Sequence, residues 1–249
     1  MANSDKYTMT ISRLTVDKLG VKLYDRVSAV IAELIANSYD ADATEVDVRA
    51  PMSELLATKQ AGKLADKGYV IEVVDNGIGM NPDQVNDFYL KVGAERRTDP
   101  KRGEKSKKYD RKVMGRKGVG KLAPFGVCQK IEVLTAGGKE VSGNNKDGKS
   151  VKGHLTAHLI LDRAGILQPT DEDYHPAVAA LDGTVSEKHG TTLRLMIFDH
   201  RTVPSHEDFE RQLAQRFGLS TANWQIKLTD TSPNRDMDKP VTRVVWEFK

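Results

Sequence analysis

The stretch from Asp25 to Asp40, DRVSAVIAELIANSYD, decides how the rest of the chain is read. Val27, Val30, Ile31, Leu34 and Ile35 recur at i, i+3, i+4, i+7 and i+8, which predicts a helix over 25–39 with one apolar face. Glu33, Asn37 and Asp40 follow at i, i+4 and i+7. With 3.6 residues per turn they fall at roughly 0°, 40° and −20°, one narrow polar stripe beside the apolar face. A solvated face would look the same. Asparagine is a poor helix former, however. Its place in mid-helix beside a carboxylate points to an oxygen aimed at a cation, with Glu33 over a water.

Outward from this helix, strand patterns rich in Val and Ile cover 45–49 and 69–74. Further strands are expected at 130–135, 151–161, 192–198, 225–229 and 241–248. Residues 51–68 are polar and helix-tolerant, which suggests a peripheral helix. Pro82 at a first turn opens a short helix over 82–91, and 119–125 reads as another. Residues 98–112 carry almost no apolar side chains and read as a mobile loop, and 137–149 (GGKEVSGNNKDGK) as a Gly/Asn turn region. A helix over 208–217 follows the cap Ser205, with Asp208 in the reciprocal position of a capping box. Strands outnumber the helices and partly follow them. The expected class is therefore α+β, a two-layer sandwich with helices on one face of a mostly antiparallel, mixed sheet.

The chain has 249 residues, 39% of them hydrophobic and 29% charged, enough for a sizeable core in one large domain. No apolar run approaches the ~18 residues of a membrane helix, and the N-terminus lacks the apolar core of a signal peptide. Cys128 is the single cysteine, so no internal disulfide and no Cys-Cys metal pair can form; it reads as a core thiol. These features predict a soluble, cytoplasmic protein with no membrane partner. Aromatics at 6% argue against a stacking platform for single-stranded nucleic acid. His154 and His158, ~13 Å apart along one strand at 3.3 Å per residue, are too distant to share a metal. Trp224 and Trp246 read as packing residues. The net charge of +3 is uneven: 91–121 holds thirteen Lys/Arg against four Asp/Glu. Such a block is either a solvated surface or a surface for phosphates, of a nucleotide or of nucleic acid.

Three more segments carry chemistry. Val73-Val74-Asp75-Asn76-Gly77-Ile78-Gly79-Met80 ends a buried strand in Asp and follows it with two glycines. Glycine lets the backbone approach closely, so a flat ligand can lie there while Asp75 accepts from an amino group. Gly115-Arg116-Lys117-Gly118-Val119-Gly120-Lys121-Leu122 meets the first part of a P-loop. Leu122 nevertheless stands where the Mg²⁺-binding hydroxyl belongs, and no strand feeds Gly115, so the P-loop reading fails. Glycines opening a helix still present free N–H groups to an anion. His189-Gly190-Thr191-Thr192, before a strand, means little alone.

Taken in order, Glu33-x-x-x-Asn37, Asp75-x-Gly77-x-Gly79, Gly118-x-Gly120 and Gly190-Thr191 resemble the four boxes of the GHKL ATPases: gyrase, the ninety-kilodalton heat-shock chaperones, histidine kinases and MutL. The resemblance spans about 25–195. The lid segment 91–97 also resembles MORC-like and chaperone-like bacterial ATP-binding proteins, with Ala94 where a Ser or Thr commonly stands. The resemblance implies ATP and Mg²⁺ as cofactors. Glu33 would be the general base and Asn37 the metal ligand, with Asp40 counted among the nucleotide-binding residues. Asp75 would read the adenine amine, with Gly77 and Gly79 admitting the ring and Met80 packing on it. Gly118, Val119 and Gly120 would offer N–H groups to the phosphates, Lys121 would add charge, and Thr191 would support Asp75 through water.

The implied function is slow ATP hydrolysis that closes a mobile lid (about 93–117) and dimerises a clamp, in nucleic-acid processing or defence. DNA contact through the basic lid would follow from that role. Two alternatives stand: a chaperone-like ATPase acting on protein clients, and a nucleotide-binding module that does not hydrolyse. A histidine kinase would need a phosphoacceptor His upstream, yet the first His is His154. Residues 1–249 are expected to form one ATP-binding domain. Because the chain ends inside an apolar-patterned strand, it is also expected to be the N-terminal part of a longer protein.

Overall fold

A computed structural model describes residues 24–92, 103–115, 118, 120–168, 172–217 and 223–233, and the backbone of 242–247. In chain order the elements are α1 (Val27–Asp40), β1 (Glu45–Ala50), β2 (Ala57–Gln60), β3 (Lys63–Asp66), β4 (Val70–Asp75) and α2 (Pro82–Gln84), which runs on as a π-helical turn, Val85–Tyr89. A 3₁₀ segment, Gly120–Gly126, leads into β5 (Cys128–Asn144) and β6 (Ser150–Asp162). Then come α3 (Arg163–Ile166), β7 (Ala177–Val178), β8 (Val185–Ser186), β9 (Gly190–Phe198), α4 (His206–Phe217), β10 (Gln225–Asp230) and β11 (Thr242–Glu247).

Among the described residues the main sheet runs β11-β10-β1-β4-β9-β5-β6-β7, with β8 also on β6. Only β1 and β10 pair in parallel, so the sheet is mixed and mostly antiparallel, as expected. The apolar stripe of α1 is buried as its spacing requires, with Val30, Ile31 and Ile35 at 0% exposure. α1 has no side-chain N-cap, so burial of this face is what holds it in place. One face of the sheet, with Ile71, Val73, Ile131, Val133 and Leu195, shares its core with α1 and α4. The opposite face carries a polar ladder across five strands: Arg49 bonds Glu72 at 3.4 Å, Arg194 bonds Glu72 at 2.6 Å and Glu132 at 3.0 Å, and His158 bonds Glu132 at 2.7 Å. Among the described residues no helix is long and apolar enough to cross a membrane.

Two local expectations are corrected. Residues 57–66 form a β-hairpin, not a helix. Its two-residue turn, Ala61 (φ 48°) and Gly62 (φ 78°), has the paired positive φ angles that suit the twist of the flanking strands. The turn region shrinks to 145–149, because β5 and β6 pair almost continuously from Lys130↔Asp162 to Asn144↔Ser150. Gly137 and Gly138 mark a bulge within β5 rather than a turn. The described part of the expected loop, 103–112, is hydrogen-bonded to its surroundings. Asp42 accepts from the backbone of Lys108 and Tyr109 at 2.8 and 3.1 Å, and buried Arg111 donates to the carbonyls of Ala43 and Asn223 at 2.6 and 2.9 Å. Residues 93–102 of the expected lid, with 116 and 117, lie outside the described residues, as does Val119.

Apart from the far end of β5, the expected strand ends and the helix over 208–217 shift only slightly. Ser205 caps α4, accepting from the Asp208 backbone at 3.2 Å while its hydroxyl donates to the Asp208 carboxylate. Cys128 is a buried thiol pushed up to about 12 by desolvation, which suits a core position. Trp224 is buried and meets Tyr39 edge-on at 5.2 Å.

Candidate functional site

Side chains alternate faces along a strand, so Asp75 lies on the same inner face of β4 as Ile71 and Val73. The register then stacks two rows across three strands. Val73, Leu193 and Val133 form an apolar row, and two residues further on Asp75, Thr191 and Thr135 form a polar one. The core thus ends, on its own inner face, in a carboxylate and two hydroxyls. Thr135 and Thr191 hydroxyls are 3.0 Å apart, and Thr135 also accepts from the Met80 backbone at 3.0 Å.

Asp75 is closely held. It accepts from the Ser38 hydroxyl at 2.8 Å and from the Gly77 N–H at 2.9 Å, with a further bond from the backbone of Thr191. Burial pushes its carboxyl above the usual range, against the opposing pull of these donors and of nearby His189. Thr191 thus reaches Asp75 through its backbone. His189 Nδ1 is 2.6 Å from the Gly77 carbonyl oxygen, and Ile78 N–H donates to the Ala41 carbonyl at 2.8 Å. The turn is thereby fastened to the end of α1.

Both glycines of the turn are required by space. A Cβ on Gly77 would lie 2.7 Å from the Ala41 oxygen. One on Gly79, where φ is 58°, would lie 1.8 Å from the Ala136 oxygen. Met80 is half-buried and packs against the core beside them.

α1 presents its polar stripe at the same end of the sheet. Asn37 is exposed, and among the described residues its side-chain amide makes no hydrogen bond. Asp40 is buried instead and accepts from the backbone of Met114 at 2.7 Å and of Gly115 at 2.9 Å. Its carboxylate thus anchors the segment leading to Gly118. Glu33 is half-buried and paired with Arg216 of α4. Its Oε2 faces the glycine segment, since a Cβ on Gly120 would lie 2.9 Å away. Gly118 takes φ 65°. Lys121 donates to the Phe88 carbonyl at 2.7 Å and to that of Lys91, so in this state its ammonium ties the 3₁₀ segment to the end of the α2 π-turn.

Sequence reasoning missed Ser38, Thr135, His189 and Arg216. Thr135 was legible as the polar end of the alternation Ile131-Val133-Thr135. Arg216 carried no signal, because its partner lies 183 positions away.

The profile of the family described as histidine kinase-, DNA gyrase B-, and HSP90-like ATPase matches residues 24–191. A putative type II restriction enzyme, HgiDII, of Herpetosiphon aurantiacus is 26% identical over 238 residues. That similarity covers 94% of this chain and 33% of the relative, so the chain spans a third of that protein's length. Among solved structures, the N-terminal domain of a DNA repair protein superposes with a TM-score of 0.49 at 16% identity, over 93% of this chain and 54% of that one. The matched span runs from the start of α1 to the Thr191 that bonds Asp75, and the chain belongs to the histidine kinase-, DNA gyrase B- and HSP90-like ATPase family.

Proposed function

We propose that residues 1–249 form one domain that binds ATP with Mg²⁺ and hydrolyses it slowly. The observation that carries this reading is the polar row Asp75-Thr191-Thr135 at the end of the core, opening beside two glycines that a side chain could not replace. An adenine fits this place: its amine would donate to Asp75, and its ring would lie against Gly79 and Met80. Asn37 would hold the cation, which neutralises phosphate charge when bound. Among the described residues no three His, Cys, Asp or Glu side chains cluster as a metal cage, so phosphate and water would supply most of its remaining ligands. The backbone from Gly118 to Gly120 would meet the phosphates, and Glu33, facing Gly120, would orient and deprotonate the attacking water.

Glu33→Ala should leave ATP affinity within about threefold while stopping single-turnover hydrolysis, because a general base acts mainly in the transition state. Unchanged hydrolysis would remove Glu33 from the mechanism, and equal competition by GTP would remove Asp75 as the adenine reader.

Closure of the 93–117 segment over ATP and pairing of two such domains are the motions this cycle would drive. Nucleotide-dependent hydrogen-exchange protection of that segment tests the first. The likeness to a putative restriction enzyme and the thirteen basic residues of 91–121 favour a nucleic-acid partner over a protein client. DNA affinity that falls steeply with salt would support that choice.

A further inference from the structure

Helix α4 lies beyond the residues matched by the family profile, yet it reaches the proposed base. Arg216, in its last turn, pairs with Glu33 Oε1. Tyr24 hydrogen-bonds the same carboxylate and is near enough to Arg216 to feel its charge. One turn back along α4, Gln212 accepts from the hydroxyl of Ser28 on α1. The two oxygens of Glu33 are therefore unequal, since Oε1 is taken by the guanidinium while Oε2 faces Gly120.

We infer that Arg216 is a positioning residue for ATP hydrolysis: it holds Glu33 by Oε1 so that Oε2 is presented to the attacking water beside the glycine segment. This rests on the ATPase reading above. A glutamate side chain has several rotatable bonds, and a general base works only within hydrogen-bond reach of its proton and in line with it. A displacement of about 1 Å can cost on the order of 100-fold in rate. Arginine suits the task because its guanidinium is planar and permanently charged. The Arg216 side chain is 43% exposed and that of Glu33 21%, so the pair adds little to stability. Its consequence is orientation.

The test is single-turnover hydrolysis of Mg²⁺-ATP by the whole chain, with protein in excess, alongside calorimetric ATP affinity. The variants are Arg216→Ala, Arg216→Lys, Gln212→Ala and Glu33→Ala. Arg216→Ala should slow hydrolysis about tenfold with affinity within about twofold, and Arg216→Lys should recover part of that loss. Gln212→Ala loosens the same helix pair without touching Glu33 and should stay within about twofold of the unaltered rate. An unchanged or faster Arg216→Ala overturns the inference. So does a Gln212→Ala loss as large as that of Arg216→Ala, which would reduce the effect to helix docking. If Glu33→Ala is inactive while Arg216→Ala is normal, the inference alone fails. If Glu33→Ala hydrolyses normally, or the unaltered chain does not hydrolyse ATP, the ATPase reading fails and takes the inference with it.

Discussion

Asp75 and Asn37 carry opposite kinds of demand. Asp75 is half-buried and already served by Ser38, Gly77 and Thr191, yet desolvation still raises its carboxyl above the usual range. The folded state therefore holds this proton more tightly than the unfolded chain does. Its contribution to stability is fully present below the ordinary carboxylate range and is lost as pH rises through the raised value. An adenine amine needs the ionised form as its acceptor. ATP affinity should accordingly rise with pH across the same window and level off above it. In Asp75→Asn that segment of the pH profile should disappear, because the amide does not titrate. Calorimetry at several pH values checks this, and an identical profile in both proteins would exclude Asp75 from the contact. Asn37 is exposed and makes no hydrogen bond among the described residues, so Asn37→Ala should leave the fold unchanged. It should remove the Mg²⁺-dependent part of ATP affinity, read by calorimetry with and without the metal.

At the scale of the elements, the same glycine signal had three different causes. In the turn after β4 it meant close approach, in β5 a bulge, and after β2 a hairpin turn. Gly79 and Gly62 separate these causes experimentally. Both have positive φ, but a Cβ on Gly79 would strike the Ala136 carbonyl, while one on Gly62 would meet nothing within 4 Å. Gly62→Ala should cost about 1 kcal/mol, the backbone penalty alone. Gly79→Ala should cost at least about 2 kcal/mol more, because overpacking adds to that penalty. Denaturant melts read the difference directly, and equal losses would mean that the β4 turn yields. The 51–68 segment shows why a hairpin was illegible here. Its turn uses Ala61 at a position that normally asks for Asn, Asp or Gly, and Lys59, Gln60, Lys63 and Asp66 are exposed, leaving no two-residue alternation of apolar residues to read.

For the whole molecule, the proposed cycle couples ATP to pairing of two domains. Hydrolysis per chain should then rise with protein concentration, and light scattering should show a larger species only with ATP. A rate independent of concentration, with no change in mass, would exclude pairing. The order of the boxes along the chain was legible from the sequence through the family resemblance, on residues whose spacing is local: a helix period for Glu33 and Asn37, the end of an apolar strand for Asp75, a glycine turn for Gly77 and Gly79. So was the two-layer class, since apolar periodicity reports which face each element must bury. Tertiary structure alone decided who serves these residues. Thr191 and Thr135 reach the Asp75 row through strand register, Arg111 is buried between Ala43 and Asn223, and Arg216 meets Glu33 across two helices. Each of these partners is brought in from a distant part of the chain by the closing of the core, and no local pattern of residues encodes where such a side chain will land.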